Sequence, residues 1–352
     1  MAVLERKSPP GDPSLSRPLA SHDTLALAGL NAVARAHATF QPRSRPYIGN
    51  AETLLSPHEA YVVHGLSYYI DGLGNVWTMG ADGRQATVAR FPIGLSQQEV
   101  SFAVSPDRCH LAATVLTIPP KGAPTSGEPF PTLNGTWKLE VMVADVGGAA
   151  QTIRSWTSVQ YPGQSGGLQN LVLVGWDATG PIVVTDSPLG TQNGDAIDNF
   201  DFFSGAVTHL GPDGTPGTAV AMPAGCIPMQ VTPDGRITCA SQGANGSSVQ
   251  IAIVNMAGVV EAGPFTAAGN PDVAVAAGGL VAATGQWRKG SATGTLPPNF
   301  EPEGWIDANT IFGRIGSPAT STGNAALAHL TATGETIENL GFVGDYVGML
   351  AA

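Results

Sequence analysis

Two stretches of the chain, FAVSPDRCHLAA at residues 102–113 and MQVTPDGRITCA at residues 229–240, align without a gap. In both, an apolar strand runs into a proline, whose fixed φ starts a turn. An aspartate, Asp107 or Asp234, follows the proline and can cap the turn before a second apolar strand leaves it. The repeated unit therefore predicts a tight β-hairpin.

The same unit recurs along most of the chain. Further copies are VGWDATGPIVVT (174–185), EGWIDANTIFGR (303–314) with one deletion, and DVAVAAGGLVAA (272–283) as a weaker match. A second pair of alternating strands follows four of the copies, at residues 137–156, 196–214, 249–265 and 325–342. Two hairpins per repeat make a four-stranded meander, which is the blade of a β-propeller.

Residues 60–90 add a first unit with GLGN and DG turns. This spacing predicts an all-β fold, a β-propeller of four-stranded antiparallel blades, with six blades as the preferred count. Five or seven blades fit as well, because the unit at residues 272–302 lacks a recognisable outer hairpin.

The recurring element resembles the TolB-type and WD-like repeats of bacterial β-propellers across most of residues 54–350. It consists of an apolar strand, an SPDG-like turn, an LA strand and an A-x-L-x-x-x-G hairpin. The one Trp-Asp pair, Trp176 and Asp177, lies at a predicted turn and does not recur, which departs from the WD pattern. The resemblance implies the propeller fold but no function, because such propellers serve both as binding platforms and as enzymes.

The chain divides into three predicted parts. Residues 1–20 are expected to be a disordered tether, because they are rich in Pro and lack a periodic apolar pattern. Residues 21–50 are expected to hold a short N-terminal helix, over 22–40, and a linker. Residues 51–352 form the predicted propeller, and the lone strand FVGDYVGML (342–350) is expected to close the ring by pairing with the blade at the opposite end.

The charge of the chain restricts its partners. The 352 residues carry 27 acidic and 16 basic side chains, a formal net charge of −11, with no run of Lys or Arg. We therefore expect no nucleic-acid partner, and no membrane span either, because no apolar stretch is long enough. A monomer is expected. Residues 5–18 have the character of the tether that follows an export signal, which favours an extracytoplasmic location, whereas a true start at Met1 would make the chain cytoplasmic.

The three cysteines, Cys109, Cys226 and Cys239, predict no disulfide framework because they are few and odd in number. In the predicted hairpin Cys226 lies about three residues beyond the position opposite Cys239, so a bridge is not expected. All three are interpreted as small core residues.

The connections after the second and fourth strands of each blade should emerge on one face of the ring, and the tight hairpin turns on the other. Long segments at 118–135, 157–168, 185–195 and 285–303 are predicted to crowd the first face, which we call the loop face. Loops on a rigid scaffold commonly carry binding residues. The candidate ligand-binding residues are Tyr161, Asp186, Asp195, Trp287, Arg288 and Phe300, with Lys121, Lys289 and Glu303 as further polar groups.

No catalytic residue, metal site or cofactor is predicted. The GQSGG at 163–167 lacks the helix that a nucleophile elbow requires, and Asp195, Asp198 and Asp201 are interpreted as solvated turn residues. The aspartates at the repeat corners, Asp107, Asp177, Asp234 and Asp307, are interpreted as turn caps. His110 aligns with Ile237 of the repeat core.

The preferred hypothesis is a non-catalytic scaffold that binds a protein or carbohydrate on the loop face. A propeller enzyme acting on glycans or esters near the central channel is one alternative, and a structural component of a cell-surface assembly is another.

Overall fold

The computed structural model describes residues 2–5, 37–39, 60–63, 66–70, 73–79, 85–93, 98–117, 135–160, 170–186, 206–232, 234–242, 248–268, 273–276, 278–316, 324–331, 334–340 and 344–348. Every regular element within these ranges is a β-strand. No helix that is long and apolar enough to cross a membrane occurs in them.

The strands are numbered along the chain, beginning with β1 (Ala2–Glu5) and β2 (His37–Thr39). Sheet A contains β3 (Ala60–Val63), β4 (Leu66–Ile70), β5 (Asn75–Met79) and β6 (Gln85–Arg90). Sheet B contains β7 (Gln98–Val104), β8 (His110–Thr117), β9 (Gly135–Asp145) and β10 (Gln151–Gln160). Sheet C contains β11 (Asn170–Trp176), β12 (Pro181–Asp186) and β13 (Val207–His209).

The remaining strands form four more sheets. Sheet D contains β14 (Ile227–Val231), β15 (Ile237–Gln242), β16 (Ser248–Val254) and β17 (Val260–Ala268). Sheet E contains β18 (Val273–Ala276), β19 (Leu280–Ala283), β20 (Gln286–Lys289) and β21 (Ala292–Thr295). Sheet F contains β22 (Phe300–Asp307), β23 (Thr310–Ile315), β24 (Asn324–Thr331) and β25 (Gly334–Asn339). Sheet G combines β26 (Gly344–Gly348) with β1 and β2.

Sheets A, B, D, E and F are four-stranded antiparallel meanders, in which each strand pairs with the next one along the chain. Sheet C has three strands, and the segment after β13 extends its edge through a Leu210–Pro216 bridge and a hydrogen bond from the Val220 N–H to the Val207 carbonyl at 2.8 Å. The predicted four-stranded antiparallel unit is therefore the main building block.

Sheet G joins the two ends of the chain. Strand β26 pairs antiparallel with β1, with Val3 opposite Tyr346, and β1 pairs parallel with β2. Strand β26 also contacts β22 of sheet F and β3 of sheet A. The predicted pairing with the first blade is not observed: β26 pairs with β1, which precedes that blade, and fills the gap between the first and last meanders.

Two expectations for the N-terminal segment need correction. Residues 2–5 form β1 rather than part of a disordered tether, because β26 offers them an unpaired edge. His37–Thr39, at the end of the predicted helix, form β2 on the outer edge of β1. The rest of both predicted segments lies outside the described residues. The preferred count of six blades is not confirmed, since the described strands form seven sheets.

Consecutive sheets pack face to face around the ring. Sheets A and B are linked by a hydrogen bond from the Gly147 N–H to the Val88 carbonyl at 2.7 Å. Between sheets B and C, the Ser101 hydroxyl accepts the Leu173 N–H at 2.7 Å in a buried position. Between sheets E and F, the indole N–H of Trp305 donates to a backbone carbonyl of β18 at 3.2 Å.

Apolar clusters join the other neighbouring sheets. One cluster combines Val172 and Ile182 of sheet C with Ile237 of sheet D, and another combines Ile251 of sheet D with Val281 of sheet E. With the contacts of β26 to sheets F and A, the packing closes into a ring. The fold is a β-propeller.

Burial along the strands follows from this packing. Strand β8 buries six successive residues, because each sheet is covered on both faces by its neighbours. The outermost strand β25 contains only exposed and half-buried residues, because it lies at the perimeter. A run of buried residues in a middle strand therefore marks a sheet enclosed on both sides.

The repeated corners occupy equivalent places. All five aligned segments form the hairpin between the first and second strands of a sheet. The predicted capping role of the aspartates is confirmed in three of them, where a carboxylate oxygen accepts a backbone N–H two residues on: Asp107 from Cys109 at 2.9 Å, Asp177 from Thr179 at 2.7 Å and Asp307 from Asn309 at 2.7 Å.

The gapless alignment of the first two repeats fails by one residue after the turn. The Ser105 N–H donates to the His110 carbonyl at 2.9 Å, whereas the Thr232 N–H donates to the Arg236 carbonyl at 2.8 Å. Cys109 is therefore an extra residue in the sheet B turn, and His110 corresponds to Arg236 rather than to Ile237. This explains why His110 is exposed instead of belonging to the core.

The cysteine prediction is wrong. Cys226 and Cys239 form a disulfide with a Cα–Cα distance of 5.5 Å. A register shift between Pro228 and Gln230 places Pro228 opposite Cys239, which brings Cys226 one residue closer than the regular hairpin register would. Cys109 is a free and exposed thiol because it lies in the enlarged turn.

Arg108 has a φ of 62°, and its N–H donates to the Ser105 carbonyl as the Gly235 N–H does to the Thr232 carbonyl in sheet D. We expect Arg108→Gly to be about 1 kcal/mol more stable than Arg108→Ala, because only glycine adopts this backbone conformation without strain. Both variants lack the guanidinium, so the difference between their urea denaturation midpoints reports the cost of the backbone conformation. Equal midpoints would contradict it.

Deleting residues 343–352 removes β26, which we expect to abolish the cooperative thermal unfolding transition because sheet G can no longer separate sheets F and A. Circular dichroism of the purified chain measures this. Deletion of residues 349–352 alone, which spares β26, is the matched control. A ten-residue truncation with an unchanged melting transition would contradict the closure role of β26.

Candidate functional site

Most of the predicted loop face lies outside the described residues. This holds for Tyr161 and Asp195, and for residues 118–134, 161–169 and 187–205. Asp186 ends β12, but its side chain is outside the described part. A ligand-binding role for these three residues stays a prediction.

The segment 285–303 is not a long loop. Strands β20 and β21 form the outer hairpin of sheet E within it. Trp287 is half-buried and lies across Gly294 of the neighbouring strand, where an added Cβ would come within 2.4 Å of the indole ring. The Arg288 Nε donates to the Gly290 carbonyl at 2.9 Å. Phe300 is fully buried in the cluster between sheets E and F, so its assignment as an exposed ligand-binding ring is wrong.

An open pocket of about 380 Å³ lies on the opposite face, where the tight hairpin turns emerge. We call it the corner cleft. It is formed by turns of sheets C and D, and its lining residues are Asp177, Thr179, His209, Asp234, Gly235, Arg236, Asn255, Met256, Ala257 and Glu261.

Four hairpin ends supply the lining. Asp177 follows β11 at the first corner of sheet C, and His209 ends β13. The corner between β14 and β15 contributes Asp234 to Arg236, and the turn between β16 and β17 contributes Asn255 to Ala257, with Glu261 at the start of β17. Adjacent sheets in the ring therefore bring residues far apart in sequence to one place.

Asp177 and His209 form a hydrogen-bonded pair. The His209 Nε2 lies 2.9 Å from each carboxylate oxygen of Asp177. The carboxylate also accepts the N–H groups of Thr179 at 2.7 Å and Gly180 at 3.2 Å. Partial burial raises the pKa of Asp177, but the hydrogen bonds from His209 and the backbone outweigh it, so the pKa lies below its usual value. Asp177 is therefore a fixed anion at neutral pH.

Arg236 lies between two carboxylates. Its guanidinium pairs with Asp234, and its Nε is 3.4 Å from a carboxylate oxygen of Glu261. The Asn255 amide donates to the other Glu261 oxygen at 3.3 Å. The Asn255 oxygen in turn accepts the N–H of Ala257 at 3.0 Å, so the turn that holds Met256 and Ala257 is fixed by the same side chain.

The two sheets approach closely at Gly235, whose φ is 84°. A Cβ at this position would lie 2.9 Å from Met256 Cγ and 3.1 Å from Ile182 Cδ1. Glycine thus permits both the turn and the close contact of sheet D with sheet C beneath the cleft.

The cleft has more acceptors than donors. The described lining includes three carboxylates and one guanidinium, and the Asp234 and Glu261 side chains are 57% and 41% exposed. A carboxylate oxygen can accept about two hydrogen bonds, so these two groups retain capacity for a ligand. The ranges that the structure describes contain no group of three His, Cys, Asp or Glu arranged to hold a metal ion.

Sequence reasoning assigned Asp177 and Asp234 to turn capping alone and left His209, Arg236 and Glu261 without a role. The capping assignment of Asp177 is correct but incomplete, since the same carboxylate also holds His209 in the cleft. The only sequence signal was the presence of ionisable residues at the hairpin ends of two successive repeats. The packing of sheets C and D was needed to bring them together.

No protein-family model matches the sequence, and no curated protein matches it. Solved structures of similar fold include an oligogalacturonate lyase in complex with manganese (TM-score 0.36, 12% identity, covering 80% of this chain and 63% of the lyase chain). A chain of the mitotic checkpoint complex gives a TM-score of 0.39 at 14% identity, covering 88% of this chain and 87% of the other. Prolyl oligopeptidase B from Galerina marginata gives 0.29 at 10%, covering 83% and 33%. This chain thus spans less than two thirds of the lyase and a third of the oligopeptidase. At these TM-scores the similarities carry no argument about activity, and the propeller architecture rests on sheet order and packing.

Proposed function

We propose that this chain is a non-catalytic β-propeller scaffold that binds a protein or carbohydrate partner, and that the corner cleft is a binding site. The observation that carries the proposal is an open pocket of about 380 Å³ in which Asp177, Arg236 and Asn255 are already held by hydrogen bonds and ion pairs. Preorganised polar groups lose little conformational entropy on binding, which favours recognition.

Binding accounts for the cleft better than catalysis does. The Asp177–His209 pair is the kind of dyad that can move a proton, but a covalent mechanism also requires a nucleophile beside the imidazole. In the described part of the chain, no hydroxyl or thiol hydrogen-bonds to the His209 ring. We therefore assign the dyad a binding and positioning role in preference to covalent catalysis.

Two finer features belong to the same proposal. Seven blades, the last completed by β26, β1 and β2, are supported by the contacts of sheet G with sheets F and A. An extracytoplasmic location is supported by the disulfide between Cys226 and Cys239, because such bonds persist mainly in oxidising compartments.

The binding role can be tested with a substitution that fills the cleft and breaks none of its ion pairs. Ala257 is exposed on the β16–β17 turn, so we expect Ala257→Trp to reduce cleft-dependent binding at least tenfold by occupying the pocket. The measurement is fluorescence binding of the purified chain to a glycan array and a random-hexapeptide array.

The matched control is Val146→Trp, which places the same ring on the corresponding turn of sheet B, where Val146 is 42% exposed. Array members that bind the unmodified chain and the Val146→Trp variant but not the Ala257→Trp variant support the site. If neither array contains a member sensitive to Ala257→Trp, the corner cleft is not a binding site.

A further inference from the structure

On the basis of the proposed function, we infer that the corner cleft binds a protein segment in which a Lys or Arg side chain is flanked by apolar residues. The cleft and the turn beside it combine acceptor-rich carboxylates, an exposed apolar lip and a small volume. These three properties together select a basic side chain of a polypeptide over a carbohydrate.

The first property is charge complementarity. The described lining holds three carboxylates and one guanidinium: Arg236 pairs with Asp234 and Glu261, whereas Asp177 bonds to His209 and is held as an anion by its hydrogen bonds. Arg236 already shares its donors between Asp234 and Glu261, which leaves oxygen acceptors on both exposed carboxylates. An ammonium or guanidinium supplies several donors and no acceptor, so it matches this surplus.

The second property is exposed apolar surface next along the chain to the cleft lining, which we call the apolar lip. The turn that supplies Met256 and Ala257 to the lining continues into Val259 and Val260. These two valines are 58% and 45% exposed and are among the few large hydrophobic side chains that stand out from the described surface. Apolar residues flanking the basic side chain of a partner could cover them.

The third property distinguishes a protein from a carbohydrate. A sugar ring is usually bound by stacking on an aromatic face, and the described residues that line the cleft include no Phe, Tyr or Trp. The volume of about 380 Å³ is at the small end for ligand pockets, which suits one long side chain and its neighbours better than an oligosaccharide.

The test uses the full chain and defined probes. Three probes are acetylated hexapeptides that differ at one position between leucines, which holds lysine, norleucine or glutamate. The fourth probe is a linear glucose hexasaccharide. Calorimetric titration at 0.15 M salt should give binding of the lysine peptide at least about tenfold tighter than of the norleucine peptide. Raising the salt to 0.5 M should reduce the difference, because ions screen exposed charges.

Two substitutions connect the effect to the cleft. Asp234→Asn and Glu261→Gln should each reduce the affinity for the lysine peptide several-fold and leave the affinity for the norleucine peptide unchanged. The matched control is Glu338→Gln, because Glu338 forms a similar pair with His329 at 3.0 Å on sheet F, away from the cleft. This variant should bind all four probes as the unmodified chain does.

The possible outcomes separate this inference from the proposed function. Binding of the hexasaccharide that is lost in Ala257→Trp would overturn the peptide inference and leave the binding site in place. Equal affinity for the lysine and norleucine peptides, or no binding of either, would overturn the inference as well. The proposed function itself fails in a different way: the arrays would then contain no ligand whose binding is lost in the Ala257→Trp variant.

Discussion

The structure depends on one packing constraint: every sheet of the ring has two apolar faces, and each face must be covered by a neighbouring sheet. The six consecutive buried residues of β8 are stable only between sheets A and C. At about 25 cal/mol per Å² of buried apolar surface, exposing one face of any sheet would be costly. Sheets F and A therefore cannot be left open to solvent, and β26 fills the space between them. The pairing of β26 with β1 makes the integrity of the ring a property of both ends of the chain.

A second constraint, local to each repeat, gives the hairpin face its chemistry. In sheets B and D a hydroxyl at the end of the first strand accepts the N–H of the residue that begins the return: Ser105 from His110 at 2.9 Å, and Thr232 from Arg236 at 3.0 Å. Each corner therefore presents a carboxylate and a basic side chain at the same edge. In sheet B this residue is His110, which is bonded to Asp145 at 2.8 Å, and in sheet D it is Arg236.

In the corner cleft, the proposed binding site, the same side chains stabilise the turns and line the pocket. Asp177 accepts a backbone N–H in the turn of sheet C and also forms a hydrogen bond with His209. Gly235 allows the neighbouring corner to approach, so that Arg236 and Glu261 join the same pocket. Backbone N–H groups orient Asp177, and side-chain pairing orients Arg236 and Glu261, so the charges of the cleft are arranged without a ligand. Fixed charges at a rigid site favour selectivity for the sign and geometry of the partner.

The sequence by itself determined the hairpin unit, its recurrence and the capping aspartates, because proline, aspartate and alternating apolar residues act within a few positions of one another. It also indicated a closing strand near residue 346. It misplaced His110 and missed the disulfide, since an extra turn residue at Cys109 and a register shift beside Pro228 change pairing by a single residue. It could not distinguish the buried Phe300 from a surface ring, or recognise the cleft. Those features depend on which sheets become neighbours, and the packing of residues distant in sequence is decided only when the ring closes.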